Sequence, residues 1–191
     1  MPPAYSTLFS RLISVAYLTG AVLLAQAALS APFSAQAAMP DNVRLDTPSG
    51  LPVPRMVSLK AEKIFCRAGP SFSHPVRLTF MRQGLPVVVV AETRDHWRKI
   101  RDLEGDECWT HKSKLSGDET ALVLEDGLAL RARPDANAPA KARLGRGVIA
   151  RVEASRGAWL RVSADGMKGW ARASAFWGAQ ADAPLADYPQ P

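Results

Sequence analysis

Cysteine and histidine are scarce in this chain, which has two cysteines and three histidines among its 191 residues. Metal centres and nucleophilic active sites depend on these residue types, and the sequence contains no H-E-x-x-H, C-x-x-C or G-x-S-x-G pattern. After residue 37 it also lacks an apolar period typical of helices. These shortages favour a non-catalytic protein without a metal or cofactor, built from strands rather than helices.

Arg11 is the only charged residue among the first 37. An apolar, alanine-rich run over residues 12–29 follows it, and Ala35-Gln36-Ala37 offers small residues for cleavage. We therefore expect a cleaved signal peptide over residues 1–37, and a periplasmic protein with no stable membrane insertion. The alternative is an uncleaved anchor helix, because an apolar run of this length nearly spans a bilayer.

The formal net charge of the chain is +6, and it falls to +5 when Arg11 leaves with the signal peptide. A charged partner is therefore expected to be anionic. In an envelope compartment this favours cell-wall carboxylates, anionic lipids or acidic proteins over nucleic acid. The alternative is that moderate positive charge, interspersed with acidic residues, serves solubility alone.

Proline-rich stretches without a core-forming pattern flank the rest of the chain. Residues 39–55 contain four prolines, so residues 38–55 are predicted to form an extended linker. Residues 179–191 are rich in alanine, proline and aspartate, and we expect a disordered tail there. The folded part is then confined to residues 56–178.

The folded part carries one pattern twice. A tryptophan-led strand, a glycine turn and a second tryptophan-centred strand occur at residues 96–115 and again at residues 158–176. Upstream, Cys66-Arg67-Ala68-Gly69-Pro70 matches Leu130-Arg131-Ala132-Arg133-Pro134. The spacing between the copies drifts by a few residues, as expected when two copies of one module differ in loop length. We predict two modules, residues 56–117 and 120–178.

Each module has the pattern of short strands joined by turns. Residues 85–92 form a β-branched run bounded by a glycine and a polar segment, and residues 147–155 occupy the equivalent place. Asp165-Gly166 is typical of a two-residue type I′ hairpin turn, and Glu104-Gly105-Asp106 is a longer version. An all-β fold is therefore predicted.

Cys66 and Cys108 both fall in the first module. In an oxidising compartment, an isolated pair of cysteines more often forms a disulfide than a catalytic or metal site. Leu130 and Gly169 stand at the matching positions of the second module, so the bond is expected to stabilise the fold rather than perform chemistry. The alternative is a small thiol-dependent hydrolase or redox enzyme.

The order of these motifs resembles the bacterial SH3-like domain: an arginine before a proline, a variable loop, a glycine-led strand, a W-x-x-[IV] strand, a glycine turn and a short closing turn. The first copy has them at Arg67, Pro70, Gly84, Trp97, Ile100, Gly105 and Trp109, and the second at Arg131, Pro134, Gly147, Trp159, Val162, Gly166 and Trp170. The resemblance implies tandem small barrels of five or six strands each. Such modules occur in envelope or secreted proteins, bind cell-wall peptide or protein, and are not catalysts.

The eukaryotic SH3 pattern, in which aromatic side chains hold a proline-rich PxxP peptide, is not met. Lys114 and Ala175 stand where that pattern has a tyrosine in the closing turn. His111 and Arg172 stand where the groove would have a proline. We therefore do not predict PxxP binding.

A candidate binding face follows from side-chain alternation along the tryptophan-led strands. If Ile100 points into the barrel, Trp97 and Lys99 share the outer face with Arg101. Indoles and cations together suit stacking combined with contact to a carboxylate. The alternative is that the tryptophans pack at the core edge or between the modules. The candidate ligand-binding residues are Trp97, Lys99, Arg101, Trp109 and His111, with Trp159, Arg161 and Trp170 in the second module.

Two hypotheses remain beside the thiol enzyme. The first is a non-catalytic periplasmic protein whose tandem modules bind a cell-wall peptide or an envelope protein. The second is a structural or assembly protein whose tryptophan faces form module–module or dimer interfaces. Neither hypothesis involves nucleic acid or a cofactor.

Overall fold

The structure is a computed structural model that describes Arg44 and residues 46–179. The predicted signal peptide, residues 1–37, and the predicted tail from residue 180 onwards lie outside the described residues. Within the described part, no helix is long and apolar enough to cross a membrane. The regular structure there consists of β-strands and two short 3-10 turns, which confirms the all-β prediction.

The first module is a seven-stranded antiparallel sheet. Its strands are β1 (Arg55–Leu59), β2 (Ile64–Arg67), β3 (Val76–Phe80), β4 (Pro86–Glu92), β5 (Trp97–Arg101), β6 (Glu107–His111) and β7 (Leu115–Ser116). They lie in the order β3-β2-β6-β5-β4-β1-β7. A 3-10 turn over Lys112–Lys114 connects the last two strands.

The second module repeats this arrangement. Its strands are β8 (Thr120–Val123), β9 (Leu128–Arg131), β10 (Ala140–Leu144), β11 (Ile149–Arg156), β12 (Trp159–Ala164), β13 (Met167–Arg172) and β14 (Phe176–Trp177). They lie in the order β10-β9-β13-β12-β11-β8-β14. A 3-10 turn over Ala173–Ala175 again precedes the last strand, so both predicted closing turns are present.

Each module has seven strands rather than the five or six that the resemblance implies. The additional pairing comes from the short segment after each 3-10 turn. Leu115 pairs with Leu59 in the first module, and Phe176 pairs with Val123 in the second. The closing turn therefore returns the chain to the first strand of its own module.

All seven strands of the first module contribute to one apolar core. Because side chains alternate along a strand, a single face of the sheet supplies this core and the sheet wraps around it. The contributing side chains are Leu59, Ile64, Cys66, Leu78, Val87, Val89, Ile100, Cys108 and Leu115. The second core is built likewise, from Ala121, Val123, Leu130, Leu144, Ala150, Leu160, Val162, Ala171 and Phe176.

The same backbone hydrogen bond occurs at the equivalent position of each module. The Gly84 amide donates to the Leu59 carbonyl at 2.8 Å, and the Gly147 amide donates to the Val123 carbonyl at 2.8 Å. Both glycines have a positive φ, 75° and 80°, which residues with a Cβ atom rarely adopt. The repeat in the sequence is therefore also a structural repeat.

The hairpin turns place the tryptophan-bearing strands side by side. Asp165 and Gly166 have φ values of 48° and 77°, so both residues have the positive φ that a type I′ turn requires. Across the resulting hairpin Trp159 lies opposite Arg172. In the first module Trp97 lies opposite His111.

The predicted disulfide joins Cys66 of β2 to Cys108 of β6. The two strands are neighbours in the sheet, and the Cα atoms of the two cysteines are 5.5 Å apart. Both cysteines are buried in the core. The bond leaves no free cysteine in the described part of the chain.

The second half of the predicted linker is folded rather than extended. Arg44 forms an isolated antiparallel bridge with Val53, and the Val53 side chain is buried in the first core. The carboxylate of Glu92 accepts a hydrogen bond from the Ser49 amide at 3.1 Å and forms an ion pair with Arg55. Single anchoring contacts of this kind leave no periodic pattern, which is why the sequence alone indicated a linker.

The two modules contact each other directly. The Thr120 hydroxyl donates to the Gly84 carbonyl at 2.7 Å, and the Arg82 guanidinium donates to the Gly147 carbonyl. Gly178, after the last strand, packs so closely on Pro86 that an added Cβ atom would lie 2.4 Å from the proline Cβ. These contacts come from strand ends and loops rather than from the tryptophan-bearing hairpins.

Candidate ligand-binding groove

The first module has a surface groove of about 220 Å³. Strand β2, the loop over residues 68–75, strand β6 and the 3-10 turn surround it, with β5 contributing a tryptophan. Its lining residues are Lys63, Phe65, Arg67, Phe72, Trp97, Thr110, His111 and Lys114. We call this cavity the first groove.

Aromatic side chains form the apolar wall of the first groove. The rings of Phe72 and Trp97 meet edge to face with centroids 4.8 Å apart, and the His111 ring lies 5.8 Å from that of Trp97. Trp97 is only 5% exposed, whereas Phe72 is 68% and Phe65 is 50% exposed. Trp97 is therefore a support for the groove, and the two phenylalanines form its accessible apolar surface.

The loop that carries Phe72 is held by its own hydrogen bonds. Arg67 donates to the His74 carbonyl at 2.7 Å, and its guanidinium carbon lies 5.8 Å from the centroid of the Phe72 ring. Gly69 gives the loop room, because a Cβ atom there would lie 2.4 Å from the His74 ring. Arg67 thus fixes the loop and places positive charge beside Phe72.

The charged residues of the first groove are all cationic. The Lys63 ammonium lies 5.2 Å from the centroid of the Phe65 ring. Arg67 and Lys114 line the same cavity, and no carboxylate does. This arrangement creates a local positive potential next to exposed aromatic surface, which suits an anionic ligand.

His111 caps the 3-10 turn that closes the module. Its Nδ1 atom accepts a hydrogen bond from the Ser113 amide at 3.3 Å, so the neutral ring carries its hydrogen on Nε2. Burial lowers the pKa of His111, and the nearby His96 and the cations Lys112 and Lys114 lower it further. The ring is therefore uncharged at neutral pH and presents an N–H donor.

Thr110 is the buried polar residue of the first groove. It is 1% exposed, and its hydroxyl has no hydrogen-bond partner within the described residues. A buried polar group left without a partner is costly and unusual in folded proteins. The equivalent position in the second module is Ala171, which shows that the strand does not need a hydroxyl there.

The second module has a groove at the equivalent place, with a volume of about 330 Å³. Arg131 donates to the Ala138 carbonyl at 2.7 Å, as Arg67 does to His74 in the first module. Trp159 occupies the place of Trp97. The lining residues are Glu125, Asp126, Gly127, Leu128, Ala129, Arg131, Ala136, Trp159, Ala171, Arg172, Ser174 and Ala175.

The second groove differs from the first where side chains face the cavity. Ala129 and Ala136 replace the two phenylalanines, and two carboxylates, Glu125 and Asp126, join the lining. The guanidinium carbon of Arg172 lies 4.5 Å from the centroid of the Trp159 ring. The second groove therefore keeps the arginine and the tryptophan but lacks the two exposed phenylalanines, and its Trp159 is partly exposed, unlike the buried Trp97.

Some of the predicted site residues line the two grooves, and the others lie elsewhere on the sheets. Trp97 and His111 line the first groove, and Trp159 lines the second. Trp109 lies opposite Lys99 in the hairpin, whereas Trp97 lies opposite His111, so the two indoles are not directly cross-strand partners. Trp97 is also buried under Phe72 rather than presented on an open face.

The remaining predicted cations have carboxylate partners on the sheet surface. Lys99 and Arg101 both form ion pairs with Glu107, the arginine at 2.6 Å. In the second module Arg161 lies 3.3 Å from Glu153. Trp170 contacts the guanidinium of Arg156, 5.9 Å from the ring centroid to the guanidinium carbon. These residues lie outside both grooves.

Sequence reasoning did not single out Phe65, Phe72 or Thr110. Strand alternation contained a signal for Phe65, because it lies between the inward-facing Ile64 and Cys66 on β2. Phe72 belongs to an irregular loop, where no periodicity indicates direction. The unpartnered hydroxyl of Thr110 is visible only in three dimensions.

Two tandem antiparallel modules, each with a tryptophan-led hairpin and a closing 3-10 turn, define a protein of the SH3-like class. The family model of the bacterial SH3 domain matches residues 60–117 and 125–178, more than half of the chain. The chain belongs to the bacterial SH3 domain family. Domains of this family commonly bind peptidoglycan or proteins.

Two solved structures are similar to part of this chain. NlpC2 from Trichomonas vaginalis is 11% identical with a TM-score of 0.29, over 65% of this chain and 48% of that one. NlpC1 from Trichomonas vaginalis is 11% identical with a TM-score of 0.29, over 64% and 45%. The chain thus spans about half the length of these two proteins. No curated protein matches the chain.

Proposed function

We propose that this chain is a non-catalytic periplasmic binding protein whose first groove holds a cell-wall peptide. The observation that carries the proposal is the exposed pair Phe65 and Phe72 beside the buried Trp97, within a ring of cations. Family membership supports the proposal, because bacterial SH3 domains commonly bind peptidoglycan or proteins.

The aromatic surface supplies the apolar part of the binding free energy. Phe72 is 68% exposed, although it is held in place by Trp97 and by the loop that Arg67 anchors. Fully burying a side chain of this size contributes roughly 1.5 to 3 kcal/mol. Because the loop is already ordered, a ligand that covers Phe72 loses little of this gain to loop ordering.

The cationic rim supplies the polar part. Peptides of bacterial cell walls carry carboxylates, and Lys63, Arg67 and Lys114 line the groove without a carboxylate among the lining residues. Exposed charge pairs are screened by salt, with a screening length of about 10 Å at 0.1 M. Binding is therefore expected to weaken as the salt concentration rises.

The cysteines support a non-catalytic role. Cys66 and Cys108 form a buried disulfide, and the described residues contain no free cysteine. Attack on a substrate requires a free, accessible thiolate. The thiol-dependent alternative therefore has no available nucleophile in the described part of the chain.

The experiment is retention on isolated peptidoglycan sacculi at low and high salt. The full chain is produced with its own N-terminal segment, and wild type is compared with Phe72→Ala. Met81→Ala is the matched control, because Met81 is 59% exposed but lies outside the groove. We expect salt-sensitive retention of wild type and of the control, and about tenfold weaker retention of Phe72→Ala. Equal retention of all three proteins would show that the first groove is not where the peptide binds.

A protein partner or a second copy of the chain is the alternative occupant. The exposed Phe65 and Phe72 favour it as well, because exposed aromatic patches often mark protein contacts. If wild type is not retained on sacculi at either salt concentration, the next measurement is the molecular mass of the protein in solution at several protein concentrations. A concentration-dependent mass that Phe72→Ala abolishes would establish an assembly role.

A further inference from the structure

We propose that the first groove selects ligands with a free carboxylate, and that the second groove, although it is a structural copy, does not bind them. This inference rests on the proposed function and assigns the ligand class and the module. The two grooves lie in modules of the same fold within one chain, and the side chains that line them differ.

The two grooves differ in charge: three cations and no carboxylate line the first, whereas two cations and two carboxylates line the second. Lys63 and Lys114 of the first groove correspond to Gly127 and Ala175 of the second, so both lysines are absent there. The second groove instead has carboxylates, including Glu125. An anionic group entering the second groove therefore meets repulsion from the carboxylates as well as attraction from the arginines, whereas every charged residue of the first groove attracts it.

Arg172 further separates the two grooves. It lies opposite Trp159 in the hairpin, with its guanidinium carbon 4.5 Å from the centroid of the indole ring. His111 stands at the equivalent position beside Trp97, with an uncharged ring. In the second groove a cation therefore packs on the tryptophan, whereas in the first groove the ring of Phe72 packs on the tryptophan and the cations lie beside the phenylalanines.

Thr110 gives an independent indication that the first groove has a polar ligand. Its buried hydroxyl lacks a partner within the described residues, and such a group is usually satisfied in a working protein. A ligand carboxylate at the base of the cavity supplies an acceptor for this hydroxyl, while the lysines balance its charge. Ala171 at the equivalent position of the second module makes no such demand.

The test measures binding of soluble muropeptides released from sacculi by a muramidase. One sample is used as isolated, and a matched sample has its carboxyl groups converted to amides by ammonium and a carbodiimide. We expect amidation to weaken binding to the full chain at least tenfold. Equal affinity for both samples would overturn the carboxylate assignment.

Two variants of matched charge locate the site. Lys114→Gln removes one cation from the first groove and Arg172→Gln removes one from the second. We expect Lys114→Gln to weaken muropeptide binding three- to tenfold and Arg172→Gln to change it less than twofold. The opposite order, or equal losses, would overturn the assignment to the first module.

Sacculi retention separates this inference from the proposed function. If amidated sacculi retain the chain as well as untreated sacculi do, and Phe72→Ala still weakens retention about tenfold, the groove binds the wall but does not select carboxylates. If neither form is retained, the proposed function itself fails.

Thr110→Val, which keeps the shape of threonine without the hydroxyl, is expected to lose about three- to tenfold in muropeptide affinity. An unchanged affinity would exclude Thr110 from the site.

Discussion

A Cβ atom on Gly169 would lie 2.8 Å from the Cβ atom of Leu130 and 3.0 Å from the Arg131 carbonyl oxygen. Leu130 and Gly169 occupy the places that Cys66 and Cys108 hold in the first module. Where the first module links two neighbouring strands covalently, the second packs a leucine directly against a glycine backbone. The same pair of neighbouring strands is therefore held by a disulfide in the first module and by close packing in the second.

Gly169→Ala should destabilise the second module by about 1 to 3 kcal/mol, because the added methyl group overpacks a site bounded by backbone atoms. Urea unfolding followed by tryptophan fluorescence measures the loss. Gly117→Ala is the control, since an added Cβ there meets nothing within 4 Å, and its unfolding midpoint should change little. A Gly169→Ala midpoint equal to that of wild type would contradict the prediction, because it would mean that β9 and β13 move apart without cost to admit the methyl group.

Removing the disulfide should destabilise the first module by about 4 kcal/mol, because the bond closes a loop of 42 residues in the unfolded chain. The variant is Cys66→Ala with Cys108→Ala, and the measurement is urea unfolding with and without reductant. Reductant should lower the midpoint of wild type and leave that of the double variant unchanged. A wild-type midpoint that is insensitive to complete reduction would contradict the prediction.

Glu92→Gln should cost about 3 kcal/mol of stability at neutral pH, because it leaves buried cations without their counter-charge. The Glu92 carboxylate is fully buried, lies 2.9 Å from Arg98 Nε and also pairs with Arg55. The same contacts tie the segment before β1 to the barrel through Ser49. Urea unfolding measures the loss, and Glu104→Gln, on an exposed turn, should have little effect.

The cost of Glu92→Gln should depend on pH. Burial raises the pKa of Glu92, but the hydrogen bonds from Ser49 and Arg55, together with the positive charges of Arg55 and Arg98, outweigh burial and hold this pKa below the ordinary 4.5. The ionised form therefore stabilises the fold above the ordinary pKa, and this stabilisation is lost as the pH falls through the lowered value. The difference in midpoint between wild type and variant should shrink only in that acid range. A constant difference down to low pH would refute the sign of the shift.

The fold was largely predictable because it depends on periodic and local signals. Strand alternation, the Asp165-Gly166 turn and the duplicated motif order each recur in the structure as predicted. The disulfide was predicted from the presence of only two cysteines and from the expectation of an oxidising compartment. The anchoring of residues 46–55 was not predictable, because it depends on Val53 entering the core and Ser49 reaching Glu92. Such contacts join residues far apart in sequence and have no period.

The site was only partly predictable, for a related reason. Alternation predicted that Trp97 points away from the core side of Ile100, and in the structure Trp97 lies opposite His111 in the hairpin. It did not show that the Phe72 loop covers Trp97, because loop geometry depends on the hydrogen bond from Arg67 to His74. Nor does a sequence show which cations are already paired with carboxylates.

Lys63→Gln and Lys99→Gln should separate groove cations from other surface cations. Both substitutions remove one positive charge, but Lys63 lines the first groove beside Phe65, whereas Lys99 pairs with Glu107 outside it. A cation that contacts the ligand contributes up to about 1 kcal/mol at an exposed site, a factor of about five in affinity. We therefore expect low-salt retention on sacculi to fall three- to fivefold for Lys63→Gln and less than twofold for Lys99→Gln. Equal losses would mean that retention depends on net charge rather than on the groove.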